Sequence, residues 1–283
     1  MAAVLSNSTG HLSDQPLAEG QRLALRVEYD GSAFAGWQRQ SAQQNVATVQ
    51  ETLEQALSQI ASRPITVSCA GRTDAGVHAI AQWVHFDAPS ERSLKAWLVG
   101  GNAHLPSTVR ITASVPVAPD FHARFTAVSR TYDYLIGNSP VQSALLSNRV
   151  LWWRDRLDDQ VMHAALQRIL GERDFSAFRA ASCQSLSPMR LMSEAAVRRQ
   201  GDFLRVRLVA NAFLHHMVRN IVGSLLVIGT GKASETWLEE LLHTRDRTLA
   251  GATAPSCGLY LSDVSYPEHF SIPTTDALVY FPR

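Results

Sequence analysis

The residues best suited to chemistry lie in Ala70-Gly71-Arg72-Thr73-Asp74-Ala75-Gly76-Val77-His78. A carboxylate and a guanidinium stand two residues apart, between glycines that permit a tight backbone path. Such a loop presents Asp74 into a cleft beside Arg72. A nearby cation favours the ionised carboxylate, which suits a nucleophile or an electrostatic stabiliser. The plainer reading is a turn in which Asp74 only accepts backbone amides. A second segment, Phe213-Leu214-His215-His216-Met217-Val218-Arg219-Asn220-Ile221-Val222-Gly223, sets Arg219 and Asn220 inside an otherwise apolar helix. A buried guanidinium is costly unless paired. Asp74 is a candidate partner; another acid, or a side chain that reaches solvent, is the alternative. In a third segment, Phe125 to Tyr134, Tyr132 and Tyr134 share a strand face. Either ring can stack on a nucleobase, and plain packing is the other role open to them.

Competing chemistries are weaker. His215 and His216 are adjacent and so diverge on a helix, and Asp74, His78 and His85 have no recognised ligand spacing. A metal-dependent hydrolase built on those last three residues is retained only as a rival. Gly229-Thr230-Gly231-Lys232-Ala233 imitates a phosphate loop. Leu226 stands where the first glycine is needed, and Ala233 replaces the hydroxyl residue.

The composition narrows the class. The chain has 283 residues, 46% hydrophobic and 18% charged, which is ordinary for a folded protein with a proper core. The longest apolar run, Ile221 to Ile228, is interrupted and too short to cross a membrane. Three cysteines, none at CxxC spacing, argue against a disulfide framework or a structural zinc site and for a reducing, cytoplasmic setting. Net charge is only +1, but between Arg168 and Arg219 nine arginines face Glu172, Asp174, Glu194 and Asp202. A local basic field of that kind can bind a polyanion although the whole is nearly neutral.

These side chains need elements to hold them. Arg22–Tyr29 alternates like a half-buried strand. Thr48 and Glu51 form a capping box for a helix whose stripe is Val49, Leu53, Leu57 and Ile60, ended by Pro64. Strands are expected at Ile65–Cys69, about Gln82–Phe86 and near Val109–Val115, with a helix near Arg92–Ala103. The second half repeats the order. It has a strand in Phe125–Ile136, a helix Asp159–Leu170 capped by Asp158, a hairpin turning at Gln200-Gly201-Asp202, a buried helix Phe213–Ile228, a short helix Trp237–His243 and a strand Leu259–Val264. The expected fold is α+β: two βαββαβ (ferredoxin-like) halves forming a mixed, largely antiparallel sheet, with helices on one face and a central cleft. The expected organisation is a disordered extension over residues 1–20, a first half over 21–116 carrying the Asp74 loop, a second half over 117–267, and a tail over 268–283.

Taken together, several segments resemble the tRNA pseudouridine synthase A (TruA) family. They are Glu28-Tyr29-Asp30-Gly31 with Phe34 and Gly36-Trp37-Gln38-Arg39-Gln40; the Asp74 segment; Asn102-Ala103 with Leu105-Pro106; Asp120-Phe121-His122-Ala123-Arg124-Phe125; Asp174-Phe175 with Phe178-Arg179; Asn211-Ala212-Phe213 with His215 to Gly223; and Gly258-Leu259-Tyr260-Leu261. They run in the family's order from about Leu23 to Pro267. The resemblance implies the pseudouridine synthase fold and isomerisation of uridine at positions 38 to 40 of the tRNA anticodon arm, by a homodimer and without a cofactor. It implies Asp74 as nucleophile, Tyr132 against the flipped base, Arg219 paired with the nucleophile, and Arg72 helping to extrude or hold the nucleotide. A tRNA-binding protein of the same fold without catalysis is the alternative. Thr131 and Asp133 depart from the more basic stretch usual around Tyr132, and Gly101 and His104 vary the surroundings of Asn102.

Overall fold

The computed structural model describes residues 13–40 and 46–274, and the chain divides into two compact units. One unit runs to Val128 and takes up the chain again from Leu261; the other is Ser129–Tyr260. Sequence reasoning alone drew the boundary between residues 116 and 117. Residues 1–12 of the expected extension, and 275–283 of the expected tail, lie outside the described residues. The rest of the extension is not disordered: β1 (Pro16–Leu17) pairs with Arg92–Ser93.

The first unit is built on β2 (Arg22–Tyr29), whose alternation buries Leu23, Leu25 and Val27. The helix α1 (Val49–Ala61) follows, with the Thr48 side chain accepting from the Glu51 amide. Next come β3 (Ser68–Cys69), β4 (His78–Asp87) and β5 (Arg92–Ser93). A π-helical turn over Ala96–Gly100 leads into α2 (Gly101–His104), and β6 (Val109–Pro116) completes the run. β2 lies between β4 and β6, antiparallel to both. The expected helix therefore starts later than Arg92, because Arg92–Ser93 is claimed by β1.

The expected strand at Ile65 is also shortened, for a definable reason. The Ile65 amide donates to Ser58 Oγ at 2.9 Å and the Val67 amide to Glu54 Oε1 at 3.0 Å. Both acceptors belong to α1, so helix side chains replace a neighbouring strand. Glu54 is buried and also accepts from Gln50 Nε2 and Arg39.

In the second unit, β7 (Ser129–Asn138) pairs in parallel with β8 (Leu151–Trp153). After α3 (Asp159–Gln167) come β9 (Gly171–Asp174), β10 (Met189–Gln200) and β11 (Phe203–Ala210), in the antiparallel order β7-β11-β10-β9. Asp158 caps α3, and the hairpin turns at Gly201 and Asp202 as its residues suggest. Next are α4 (Met217–Gly229) and α5 (Trp237–Thr244); β12 (Leu259–Ser265) then carries the chain back into the first unit from Leu261. α4 begins four residues later than expected, because His216 takes the left-handed conformation at φ 61°. The parallel β7–β8 pair beside the antiparallel ones makes this unit's sheet mixed, and the chain is α+β.

Candidate active site

The Asp74 loop is an extension of a sheet that runs out. Ser68 and Cys69 pair with His85 and Val84, and the Ala70 amide donates to the Trp83 carbonyl at 2.8 Å. At the next position a side chain takes over: the Gly71 amide donates to Gln82 Oε1 at 3.3 Å, and Gln82 Nε2 donates to the Gly71 carbonyl. Gln82 is fully buried, so its amide has no water to turn to.

From the other side, the segment after β2 grips the loop. The Trp37 amide donates to the Thr73 carbonyl at 2.9 Å, and the Gly76 amide to the Phe34 carbonyl at 3.3 Å. Tyr29 and Thr73 share a buried hydroxyl hydrogen bond of 2.7 Å. Gly36 sits at φ 96°, and a Cβ there would lie 2.8 Å from the Thr73 carbonyl oxygen, against rigid backbone. The turn closes through the main chain, from the Val77 amide to the Asp74 carbonyl at 3.2 Å. The Asp74 loop is thus positioned from strand, helix-borne lead-in and glycine-containing cradle together. Asp74 is half-buried, and Arg72 is exposed with no hydrogen bond or ion pair from its guanidinium among the described residues.

The loop's other potential nucleophile is silenced. Burial pushes the Cys69 thiol up to about 12, against the opposing pull of Arg72 and Arg124. Two of the residues in the metal-hydrolase reading are engaged elsewhere. His78 Nδ1 lies 3.1 Å from the Gly31 amide and 3.2 Å from Asp30 Oδ1, and His85 Nδ1 accepts the Ala123 amide at 3.2 Å.

In the second unit the structure separates the two tyrosines. Tyr134 is fully buried and donates to the Pro255 carbonyl at 2.7 Å; burial drives its phenol well above the ordinary range. It is a packing residue. Tyr132 lies opposite Leu208 on β11 and meets the Phe213 ring edge-to-face, with centroids 4.9 Å apart.

Arg219, in the first turn of α4, is clasped by the segment before β12. Its Nε donates to the Ala254 carbonyl at 2.8 Å, and the Ala254 amide donates back to the Arg219 carbonyl at 3.1 Å. A carbonyl thus meets part of the need for which sequence reasoning sought a carboxylate. Gly223 permits the clasp, since a Cβ there would fall 1.7 Å from the Ala252 carbonyl oxygen. Asn220 ties the same region together: it donates to the Phe178 carbonyl and accepts from Arg247 and Thr253. Sequence reasoning singled out Asn220 only as a polar intruder and missed Gln82, Tyr29 and Thr73 as positioning groups. Nothing in the spacing of Gln82 and Tyr29 relates them to the loop, and Thr73, inside it, gives no sign of its partner.

A family profile described as tRNA pseudouridine synthase matches residues 25–126 and 165–267. Curated proteins named tRNA pseudouridine synthase A are similar over most of the chain. That of Vibrio campbellii is 51% identical over 252 residues, covering 89% of this chain and 94% of its own. That of Hydrogenovibrio crunogenus is 52% identical over 251 residues, covering 89% and 95%.

Proposed function

This chain belongs to the tRNA pseudouridine synthase family, and from that premise we propose that it converts uridine to pseudouridine at positions 38 to 40 of the tRNA anticodon arm, with Asp74 as nucleophile. The observation that carries the assignment of Asp74 is its loop. Main-chain bonds from both sides, and Gly36 packed on its backbone, hold a half-buried carboxylate two residues along the loop from the exposed Arg72. Preorganisation of that kind is what a group acting on a reacting centre needs.

The reaction breaks the bond from the sugar to uracil N1, turns the base, and joins C5 to C1′. It is an isomerisation, so its balance requires no redox partner and no group donor. The uridine must first leave the stack, which costs a few kcal/mol, roughly. Arg72, exposed on the same loop, is the group to hold the displaced nucleotide. In this reading Tyr132 contacts the flipped base and Arg219 pairs with the nucleophile; both roles rest on the motif resemblance. The edge-to-face packing of Tyr132 on Phe213 supports a fixed ring. The working form is a cytoplasmic homodimer.

Purified protein incubated with an unmodified tRNA transcript should form pseudouridine, mapped by chemical labelling, at one or more of those three positions. Asp74→Asn should bind the transcript and form none. Binding without product by the unaltered protein would instead favour the non-catalytic alternative.

A further inference from the structure

Phe125 is 76% exposed, at the end of the Asp120–Phe125 segment. Single exposed apolar side chains need no explanation, but this one is held with unusual rigidity. The Arg124 and Phe125 amides both donate to His122 Nδ1, at 3.1 and 3.3 Å. Thr126 closes the turn with its amide and hydroxyl on the His122 carbonyl, at 3.0 and 2.7 Å, and its hydroxyl accepts the His122 amide at 3.2 Å. The backbone beneath an exposed aromatic ring is therefore fixed before any ligand arrives.

The ring is also the outermost of a stack. The His122 ring lies 4.3 Å behind it, tilted by 31°, and the buried His85 ring lies 4.5 Å behind that, edge-on. The Arg124 guanidinium lies over the Phe125 ring, 5.7 Å from its centroid, in a cation–π contact. Burial and Arg22 hold His122 below the usual histidine range, which keeps it a neutral stacking partner. The stack starts beside the Asp74 loop: His85 pairs with Ser68, and Arg124 acts with Arg72 on the Cys69 thiol. An exposed ring on a fixed backbone, with a guanidinium on a flexible side chain over it, suits a nucleobase, because every base offers a π-face and Arg adds stacking and charge.

We propose that Phe125, backed by His122 and flanked by Arg124, is a stacking platform for an unpaired base of the RNA next to the Asp74 loop. This rests on the tRNA reading above and adds to it a second base contact, separate from the target uridine.

The test uses the full chain and an unmodified tRNA transcript, with dissociation constants measured at several salt concentrations. Phe125→Ala should weaken binding about five- to hundredfold and leave the salt slope unchanged, because no phosphate contact is lost. Phe125→Leu should fall with Ala, since it keeps bulk but not the π-face. Phe125→Trp should retain affinity, and its fluorescence should be quenched when RNA is added. Arg124→Ala should lose affinity by an amount that shrinks as salt rises. Thermal melts should be unchanged for the Phe125 variants, whose side chain is outside the core. Wild-type affinity in both Phe125→Ala and Phe125→Leu, with wild-type turnover, overturns the platform and leaves the tRNA reading intact. A change of oligomeric state in Phe125→Ala without a change in RNA affinity overturns it in favour of a protein contact. An unaltered protein that fails to bind tRNA overturns both readings.

Discussion

Two aspartates beside arginines, Asp74 and Asp133, show how differently one residue type is used in the two units. Asp133 is fully buried on β7, and Arg207 binds both its oxygens, Nε to Oδ1 at 2.9 Å and a terminal nitrogen to Oδ2 at 2.8 Å. Arg205 approaches to 3.9 Å. Its lone pairs are committed to a fixed partner across the β7–β11 ladder, where Asp133 lies opposite Arg207. Asp74 is half-buried and sits on a loop placed by main-chain bonds. One carboxylate holds a sheet together; the other is itself held. From sequence Asp133 was merely a departure near Tyr132. The register shows it to be a structural ion pair on the strand face opposite the tyrosines.

This contrast can be broken by experiment. The largest effect should come from Asp74→Asn, with pseudouridine formation reduced about a thousandfold or more in single-turnover assays. Urea denaturation of the same variant should match wild type, because the loop is braced through its backbone. Asp133→Ala should do the reverse. Removing one member of a buried pair leaves its arginines uncompensated, so stability should drop by roughly 3 kcal/mol, while turnover per folded molecule persists. If Asp133→Ala abolishes turnover at unchanged stability, the division of labour is wrong.

Gly36→Ala sharpens the case for backbone bracing. A methyl group pressed on the Thr73 carbonyl should displace the loop, and a shift near 1 Å should cost about a hundredfold in turnover, with substrate affinity much less affected. A smaller effect concerns His85, whose pKa is lowered to about 4, first by burial and then by His122 and Arg22. The folded state binds this proton less readily than the unfolded one, whose histidine has the ordinary value near 6.5. Its contribution to stability is therefore complete above pH about 6.5 and is lost progressively as pH falls toward 4, on the order of 3 kcal/mol in all. Denaturant midpoints measured from pH 7 to 4 should fall less steeply in His85→Gln than in wild type.

Much of the architecture was legible because it is local. The alternation in β2, the Thr48 and Asp158 caps, and the Gly201-Asp202 turn each depend on neighbours within a few residues. So does the notice that Asp74 draws between its glycines. The misread boundaries have non-local causes. Arg92–Ser93 is a strand because Pro16–Leu17 is there to pair with it. Ile65 and Val67 leave the sheet because Ser58 and Glu54 capture their amides.

What residue order alone determined is the α+β succession, the family, and which short segments carry unusual polar residues, since periodicity, turn chemistry and motif are written along the chain. Only the tertiary structure decided that Tyr134 is a packing residue, that Gln82 completes the ladder under Gly71, and that Asp133 is sealed into an ion pair with Arg207. It alone also decided that the Phe125 ring stands at the head of a stack. The physical reason is the same in each case: a polar group's role depends on which distant donor or acceptor occupies its hydrogen-bonding sites once water is removed, and that partner is chosen by packing.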